Sequence, residues 1–467
     1  MNASLSRIKS AWSTPEYLAS RDRQLWSREA GIRICDLAAA TSLGGRASEL
    51  AGRSVLLVAH DQLAAALALI ELDGVAGRIV VCPPDVGNKH LGSIIETAAV
   101  NAVVSDGHSP DVSGAGHIPH VICNTSLVPI EAEPQGEATT EWILLSSGTS
   151  SGMPKLVVHT LASLIAPVRS SPDPGPLVVW GTFYDIRRYG GLQIFLRAIL
   201  GKGSMVLSSA EESVADHLTR LREHAVTHLS GTPSHWRRLL MSSGAGVIAP
   251  RYIRLSGEIA DQPILDTLQA TYPESVVGHA FASTEAGVAF EVNDGVAGFP
   301  AHFLGQRGSV EMKVVDQSLR IRSDRTALRY LGDQNGEIAD RDGFVDTGDI
   351  VEHRGNRYHF LGRRNGVVNI GGMKVHPEEI EAIINSHPRV AVSVVKPRRN
   401  PILGAVVSAE VVLKPEQSDA PSASGKIEEE ILNLCRQALP PHKVPATLHL
   451  VPALDIADAG KIVRHNA

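Results

Sequence analysis

A short apolar run, Ser54–Ala59 (SVLLVA), is followed by Gln62–Leu72 with helical periodicity and then by a second apolar run, Arg78–Cys82. At this spacing the chain has room for a helical crossover and no reason to turn tightly back. The two runs are therefore expected as parallel neighbours of a βαβ unit. That constrains the fold strongly, because a parallel sheet needs cover on both faces. The alternation continues. His90–Ala99 reads as a helix, and Ala102–Ser105, His120–Cys123 and Trp142–Ser146 read as strands. Leu177–Trp180, Ser204–Leu207, Thr227–Ser230 and Tyr252–Ser256 extend the series, with helices such as Ser213–His224 and Pro263–Thr271 between them. The expectation is an α/β body of layered helices and largely parallel sheets.

From about Val310 the pattern changes. Val310–Val315, Leu319–Arg322, Phe344–Thr347 and Tyr358–Phe360 are short strands separated by Gly- and Asp-rich turns, which suggests a small antiparallel or β-barrel-like subdomain. A smaller α+β unit follows: helix Pro377–Asn385, strands Val390–Val395 and Ala405–Leu413, helix Lys426–Ala438. The expected division is a large N-terminal domain, 1–363, and a small C-terminal domain, 364–467. At 467 residues the chain exceeds the size at which one core stops growing, which agrees with two domains.

Composition excludes several classes. Hydrophobic residues make up 43% and charged residues 20%, as in soluble globular proteins. A net charge of −6 gives no electrostatic footprint for nucleic acid. Cys35, Cys82, Cys123 and Cys435 are far apart and form no CxxC pair, so neither a zinc site nor a redox dithiol is expected. Met1–Trp12 lacks the apolar segment of a secretion signal. Asp61, Glu71, Asp73 and Arg78 interrupt the most apolar stretch, so no membrane span is expected and a cytoplasmic location is the default. The nineteen histidines show no HExxH spacing.

The apolar strand ending at Ser146 breaks into Ser147-Gly148-Thr149-Ser150-Ser151-Gly152-Met153-Pro154-Lys155. Small residues let backbone N–H groups approach phosphate oxygens, and the hydroxyls add donors. Lys155 adds a point charge. The order differs from the P-loop pattern, since Met153 and Pro154 separate Gly152 from Lys155 and Leu156 stands where a Ser or Thr belongs. On its own, this segment reads either as a phosphate loop or as an ordinary Ser/Gly surface loop.

Four further segments carry a resemblance. They are His279-Ala280-Phe281-Ala282-Ser283-Thr284-Glu285, Asp342 through Thr347-Gly348-Asp349, Gly362-Arg363 through Gly371-Gly372-Met373-Lys374-Val375 to Glu381, and Gly460-Lys461-Ile462-Val463-Arg464. With the Ser146–Lys155 loop, these five motifs in chain order resemble the adenylate-forming superfamily. It comprises acyl- and aryl-CoA synthetases, the adenylation domains of nonribosomal peptide synthetases, and luciferases. The resemblance implies ATP-dependent activation of a small carboxylic acid to an acyl-adenylate with release of pyrophosphate, then transfer to a thiol. It implies that Thr284 and Glu285 help hold Mg²⁺ on the ATP phosphates. Asp349 is then the acceptor for the ribose hydroxyls, and Arg363 reaches ribose or phosphate. His279, Ala280, Phe281 and Ala282 border the nucleotide, with Phe281 free to stack on adenine. Lys461 bridges the acid carboxylate and the α-phosphate. Asn365 is the hinge of a small lid domain, and Gly371 and Gly372 face the thiol.

The acid pocket is less familiar. By the same analogy Tyr184, Asp185, Gly191, Ser256, Gly257 and Gly278 border it. Asp185 either binds a substrate ammonium or pairs with Arg187 or Arg188. The Gly371–Pro377 segment resembles the acyl-CoA synthetase form, which favours CoA over the phosphopantetheine of a free-standing acyl carrier protein, though both acceptors stay open. Lys396, Arg398 and Arg399 form a basic cluster suited to either CoA phosphates or an acidic carrier, or to plain solvation. Six residues follow Lys461, so no fused carrier domain is expected. A homodimer and a non-enzymatic nucleotide- or acyl-binding relative also stay open. The chain departs from the usual pattern in one extra residue between Gly148 and Lys155, in Phe281-Ala282 for Tyr-Gly, and in Asn365 for an acidic or lysine hinge.

Overall fold

The computed structural model describes residues 23–86, 88–107, 118–130, 139–146, 153–168, 177–242, 244–332, 336–370, 372–400, 404–415 and 421–454. Two compact units emerge. The first comprises residues 1–230, 282–289 and 322–345, and the second residues 231–281, 290–321 and 346–467.

The first unit contains a seven-stranded sheet in the order Arg329–Leu331, Lys155–Thr160, Glu141–Ser146, Arg78–Val81, Ser54–Val58, Ala102–Ser105, His120–Ile122. The expected βαβ unit lies at its centre. Ser54–Val58 pairs in parallel with both Arg78–Val81 and Ala102–Ser105. The crossover helix Gln62–Leu72 is buried along its whole length. Its sequence, QLAAALALIEL, has no continuous polar face to turn to water, and its alanines let neighbours approach closely. Asp61 caps it by accepting from the Leu63 N–H. Its inward carboxylate, Glu71, is 5% exposed and is satisfied by Ser42 N at 2.7 Å, Ser42 Oγ at 2.6 Å and Thr41 Oγ1. Without those donors a buried carboxylate would be costly.

Two strands at one edge run antiparallel. Glu141–Ser146 pairs with Lys155–Thr160 so that Ser146 faces Lys155 in register, and Lys155–Thr160 pairs with Arg329–Leu331 so that Val157 faces Tyr330. The sheet is therefore mixed, antiparallel at the Arg329–Leu331 edge and parallel from its interior to the His120–Ile122 edge. A second group of strands in this unit shows the same arrangement. Val179–Thr182, Ser204–Val206 and Gln24–Trp26 are joined in parallel, and Gly31–Arg33 adds an antiparallel edge.

In the second unit Tyr252–Ser256 and Val276–Ser283 pair in parallel. The region expected to be barrel-like is a five-stranded sheet in the order Phe299–Pro300, Arg357–Arg363, Val345–Arg354, Ser318–Ser323, Val310–Val315. The C-terminal α+β part follows as expected. Helices Pro377–Asn385 and Pro421–Ala438 accompany strands Val390–Asn400, Gly404–Leu413 and Thr447–Leu450. Their core is built from Ile380, Ile384, Val395, Val411, Ile427 and Ile431, all nearly or fully buried.

Candidate active site

In the first unit, register brings the ends of the phosphate segment together. Ser146 closes one strand and Lys155 opens the next, directly opposite it. Ser147, Gly148, Thr149, Ser150, Ser151 and Gly152 between them lie outside the described residues. Thr284 and Glu285 occupy the turn between Val276–Ser283 and Gly287–Val292. The turn closes on Gly287, at φ +79°, where a Cβ would come within 2.6 Å of the Arg325 backbone oxygen and Cβ.

Glu285 reaches the strand end. Ser146 Oγ donates to its Oε1 at 3.2 Å, and Tyr330 Oη approaches the same oxygen at 3.4 Å. Lys155 Nζ lies 4.8 Å from the centre of the Tyr330 ring, a cation–π contact. Burial and the facing Glu285 carboxylate push the Tyr330 phenol above its usual range, so it stays a neutral hydroxyl. The main chain of the pair is held as well. His159 Nε2 is 2.7 Å from the Thr284 carbonyl oxygen, and Ala327 N–H donates to the Glu285 carbonyl at 2.9 Å. Tyr330 and His159 were not anticipated from the sequence. His159 stands out only as a histidine in an apolar strand, and Tyr330 is far away in the chain.

The expected pocket residues of this unit are also placed. Tyr184 is buried, and its carbonyl accepts from Ser208 Oγ at 2.9 Å. Asp185 is chelated by Arg187, with Nε to Oδ1 at 2.7 Å and Nη2 to Oδ2 at 2.9 Å. Arg187 is 3% exposed and also donates to the Ala59 and His60 carbonyls. Of the two readings of Asp185, the ion pair is the one present. Gly191 is required by packing alone, since a Cβ there would sit 2.1 Å from the Asp185 carbonyl oxygen.

The second unit holds the remaining residues. Asp349 and Arg363 face each other in register on antiparallel strands, with Arg363 Nε 3.3 Å from Asp349 Oδ1. Thr347 Oγ1 accepts from the Asp349 N–H at 3.1 Å, and Gly348 takes a positive φ of 69° to make the bend. Arg364 pairs with Asp346 at 3.0 Å, and exposed Asn365 follows it in a short 3-10 turn. Gly372 adopts φ +86° in the turn between Val368–Ile370 and Met373–Val375. Gly371 and Lys461 lie outside the described residues.

His279 is buried and donates from Nε2 to the Val296 carbonyl at 3.1 Å; burial lowers its pKa, so the ring is neutral near pH 7. Ala280 beside it is buried as well. Phe281 stacks on Phe360, with centroids 5.1 Å apart and planes 8° from parallel, and on Phe290 at 5.9 Å. Ala282, the next residue, belongs to the first unit. Ser256 is buried at a strand end and Gly257 turns the chain at φ +87°. Gly278 is crowded, because a Cβ would lie 1.9 Å from Asn293 Oδ1.

The family model of the AMP-binding enzyme matches residues 51–341, and that of the AMP-binding enzyme C-terminal domain matches residues 379–461. A 2-succinylbenzoate–CoA ligase of Bacillus velezensis is 25% identical over 361 residues, covering 72% of this chain and 70% of the relative. A 4-coumarate–CoA ligase of Glycine max is 26% identical over 234 residues, covering 46% of this chain and 78% of the relative. Among solved structures, an anthranilate CoA ligase in complex with anthranoyl-AMP superposes with a TM-score of 0.78 at 16% identity, over 99% of this chain and 97% of that one. With a family model spanning well over half of its length, the chain belongs to the AMP-binding enzyme family.

Proposed function

We propose that this enzyme activates a carboxylic acid with ATP and passes the acyl group to the thiol of CoA. The observation that carries the reading is the meeting of Ser146, Lys155 and Glu285 at one strand end, inside the segment that the family model matches. In the first half-reaction an oxygen of the acid attacks the α-phosphorus, the bond to pyrophosphate breaks, and acyl-AMP forms. In the second, the thiol sulfur attacks the acyl carbon, AMP departs, and the thiol proton passes to solvent.

The donor set suits a hard cation. A carboxylate and a hydroxyl, Glu285 and Ser146, are oxygen ligands of the kind Mg²⁺ takes together with substrate phosphates. Bound there, the ion would neutralise charge on the polyphosphate. Lys155 would add a fixed positive charge beside it, steadied by the Tyr330 ring. Asp349 is an acceptor matched to a vicinal diol, and Arg363 pairs with it at 3.3 Å. Lys461 would supply a donor between the acid and the α-phosphate. The 364–467 segment would act as a lid turning about Asn365, with the Gly371-Gly372 segment serving the thiol. Aryl acids are the first class to test, since the relatives above are named for 2-succinylbenzoate, 4-coumarate and anthranilate. The Arg187 chelate of Asp185 leaves no free carboxylate there for a substrate ammonium, which favours such acids over amino acids.

Pyrophosphate exchange over a panel of aryl, aliphatic and amino acids tests the activity, and product masses with CoA or a carrier protein test the acceptor. Exchange on at least one acid and a CoA thioester are expected. Silence across the panel, or product on the carrier alone, would reject the respective half. Lys461→Ala should slow acyl-adenylate formation by about 10²-fold or more, roughly 3 kcal/mol of lost transition-state stabilisation.

A further inference from the structure

His159 reaches the nucleotide site only through a backbone group, the carbonyl of Thr284, the residue that precedes Glu285. It lies on Lys155–Thr160, four positions after Lys155, and is fully buried. A carbonyl oxygen only accepts, so the 2.7 Å contact with the Thr284 oxygen requires the hydrogen on Nε2. Nδ1 is then the acceptor, facing Ser163 Oγ at 3.1 Å. Ser163 is itself held by the helix cap at Thr160. The Tyr189 ring covers the imidazole at a centroid distance of 5.6 Å. The ring is thus fixed in position and tautomer.

Its bond acts on the backbone of a turn, which the Ser283 hydroxyl also ties by accepting from the Ala286 N–H at 3.0 Å. Thr284 and Glu285 lie in a turn, not a strand, so their carbonyls have no ladder partners. One carbonyl is held by His159, the other by Ala327. The peptide plane between the two residues sets the direction in which the Glu285 side chain leaves the chain and meets Ser146. We propose that His159 is a positioning residue for the Thr284–Glu285 pair, holding from behind the carboxylate that would meet the metal on the nucleotide. Supporting partners of this kind aim the groups that bind a metal, and their loss weakens metal affinity without removing a ligand. The inference rests on the proposed nucleotide site, but it concerns binding rather than turnover.

Two substitutions separate positioning from simple packing. In His159→Gln the amide nitrogen can occupy the place of Nε2 and donate to the same carbonyl. His159→Leu fills the space and cannot donate. Calorimetric titration of the full chain is made with ATP plus Mg²⁺ and with ATP in EDTA. His159→Leu is expected to weaken binding of the magnesium complex about tenfold, as loss of a supporting partner does, while metal-free ATP binds as in the wild type. His159→Gln should restore most of the loss. Three results would overturn the proposal: unchanged affinity in His159→Leu, an equal loss with and without metal, or a glutamine no better than leucine. If the leucine variant does not fold, His159→Asn, too short to reach Thr284, replaces it under the same criteria. A wild type that does not bind the magnesium complex would also overturn it. A wild type that binds the complex but exchanges no pyrophosphate would remove the proposed reaction and leave the positioning role standing.

Discussion

Single residues show how this chain places polar groups in an apolar interior. Burial pushes the His159 pKa down to about 4 from 6.5, against the opposing bond to Thr284. The folded ring therefore refuses a proton that the unfolded ring accepts. Its contribution to stability is full above about pH 6.5 and is lost as pH falls toward 4, by about 3 kcal/mol in all. Urea unfolding at pH 7 and pH 4 should show this part of the acid sensitivity missing in His159→Gln. An identical loss in both proteins would contradict it. Gly191 makes a second case. Gly191→Ala drives a Cβ into the Asp185 backbone, and overpacking of that kind costs about 3 kcal/mol, readable as a lower urea midpoint. The glycine was visible in the sequence as part of a family pattern. Its steric reason was not, because Asp185 and Gly191 meet only once the chain has turned into the helix Tyr189–Leu200.

Elements were legible where local pattern decides them. SVLLVA, QLAAALALIEL and RIVV announce strand, helix and strand, and the parallel pairing follows from their spacing. Arg329–Leu331 was not announced. It is a three-residue edge strand whose pairing with Lys155–Thr160 depends on a long-range return of the chain. Tyr330 was hidden for that reason. Junctions between elements were equally silent. Asp261 caps the helix Gln262–Thr271 through the Ile264 N–H, takes both 2.6 Å bonds from Arg237, and accepts from Asn385 Nδ2 at 3.1 Å. Arg237 also donates to the Ala391 carbonyl at 3.3 Å. One carboxylate thus joins helices Pro233–Leu240, Gln262–Thr271 and Pro377–Asn385. Asp261→Ala removes the cap and leaves a nearly buried guanidinium without its anion, a loss of about 3–5 kcal/mol. Denaturant unfolding checks it, and a change under 1 kcal/mol would show that the junction is not structural.

At the scale of the molecule, five motifs in chain order identified the family, because each is a local arrangement of residue types that survives without knowledge of the fold. Contact between distant segments is another matter. The first unit gathers residues 282–289 and 322–345 to the N-terminal 230 residues, so Glu285 and Tyr330 join Ser146 and Lys155 across long stretches of chain. No periodicity or spacing carries that information. If the 364–467 segment turns about Asn365, stiffening this position should affect the two half-reactions unequally. Asn365→Pro is expected to keep acid-dependent pyrophosphate exchange within a few-fold while slowing thioester formation about tenfold or more, as hinge substitutions do when a domain motion gates one step. Equal effects on both would reject the hinge.

The proposed reaction rests on acid activation at the end of the strand Glu141–Ser146, where Glu285 meets Ser146. Acid-dependent pyrophosphate exchange, measured in the wild type and in Glu285→Gln at fixed Mg²⁺, tests that most directly. The account predicts exchange that requires a carboxylic acid and falls by about 10²-fold in the variant, the size of loss seen when one preorganised charge-stabilising group is removed. A wild type without exchange, or a Glu285→Gln enzyme exchanging at the wild-type rate, would contradict it.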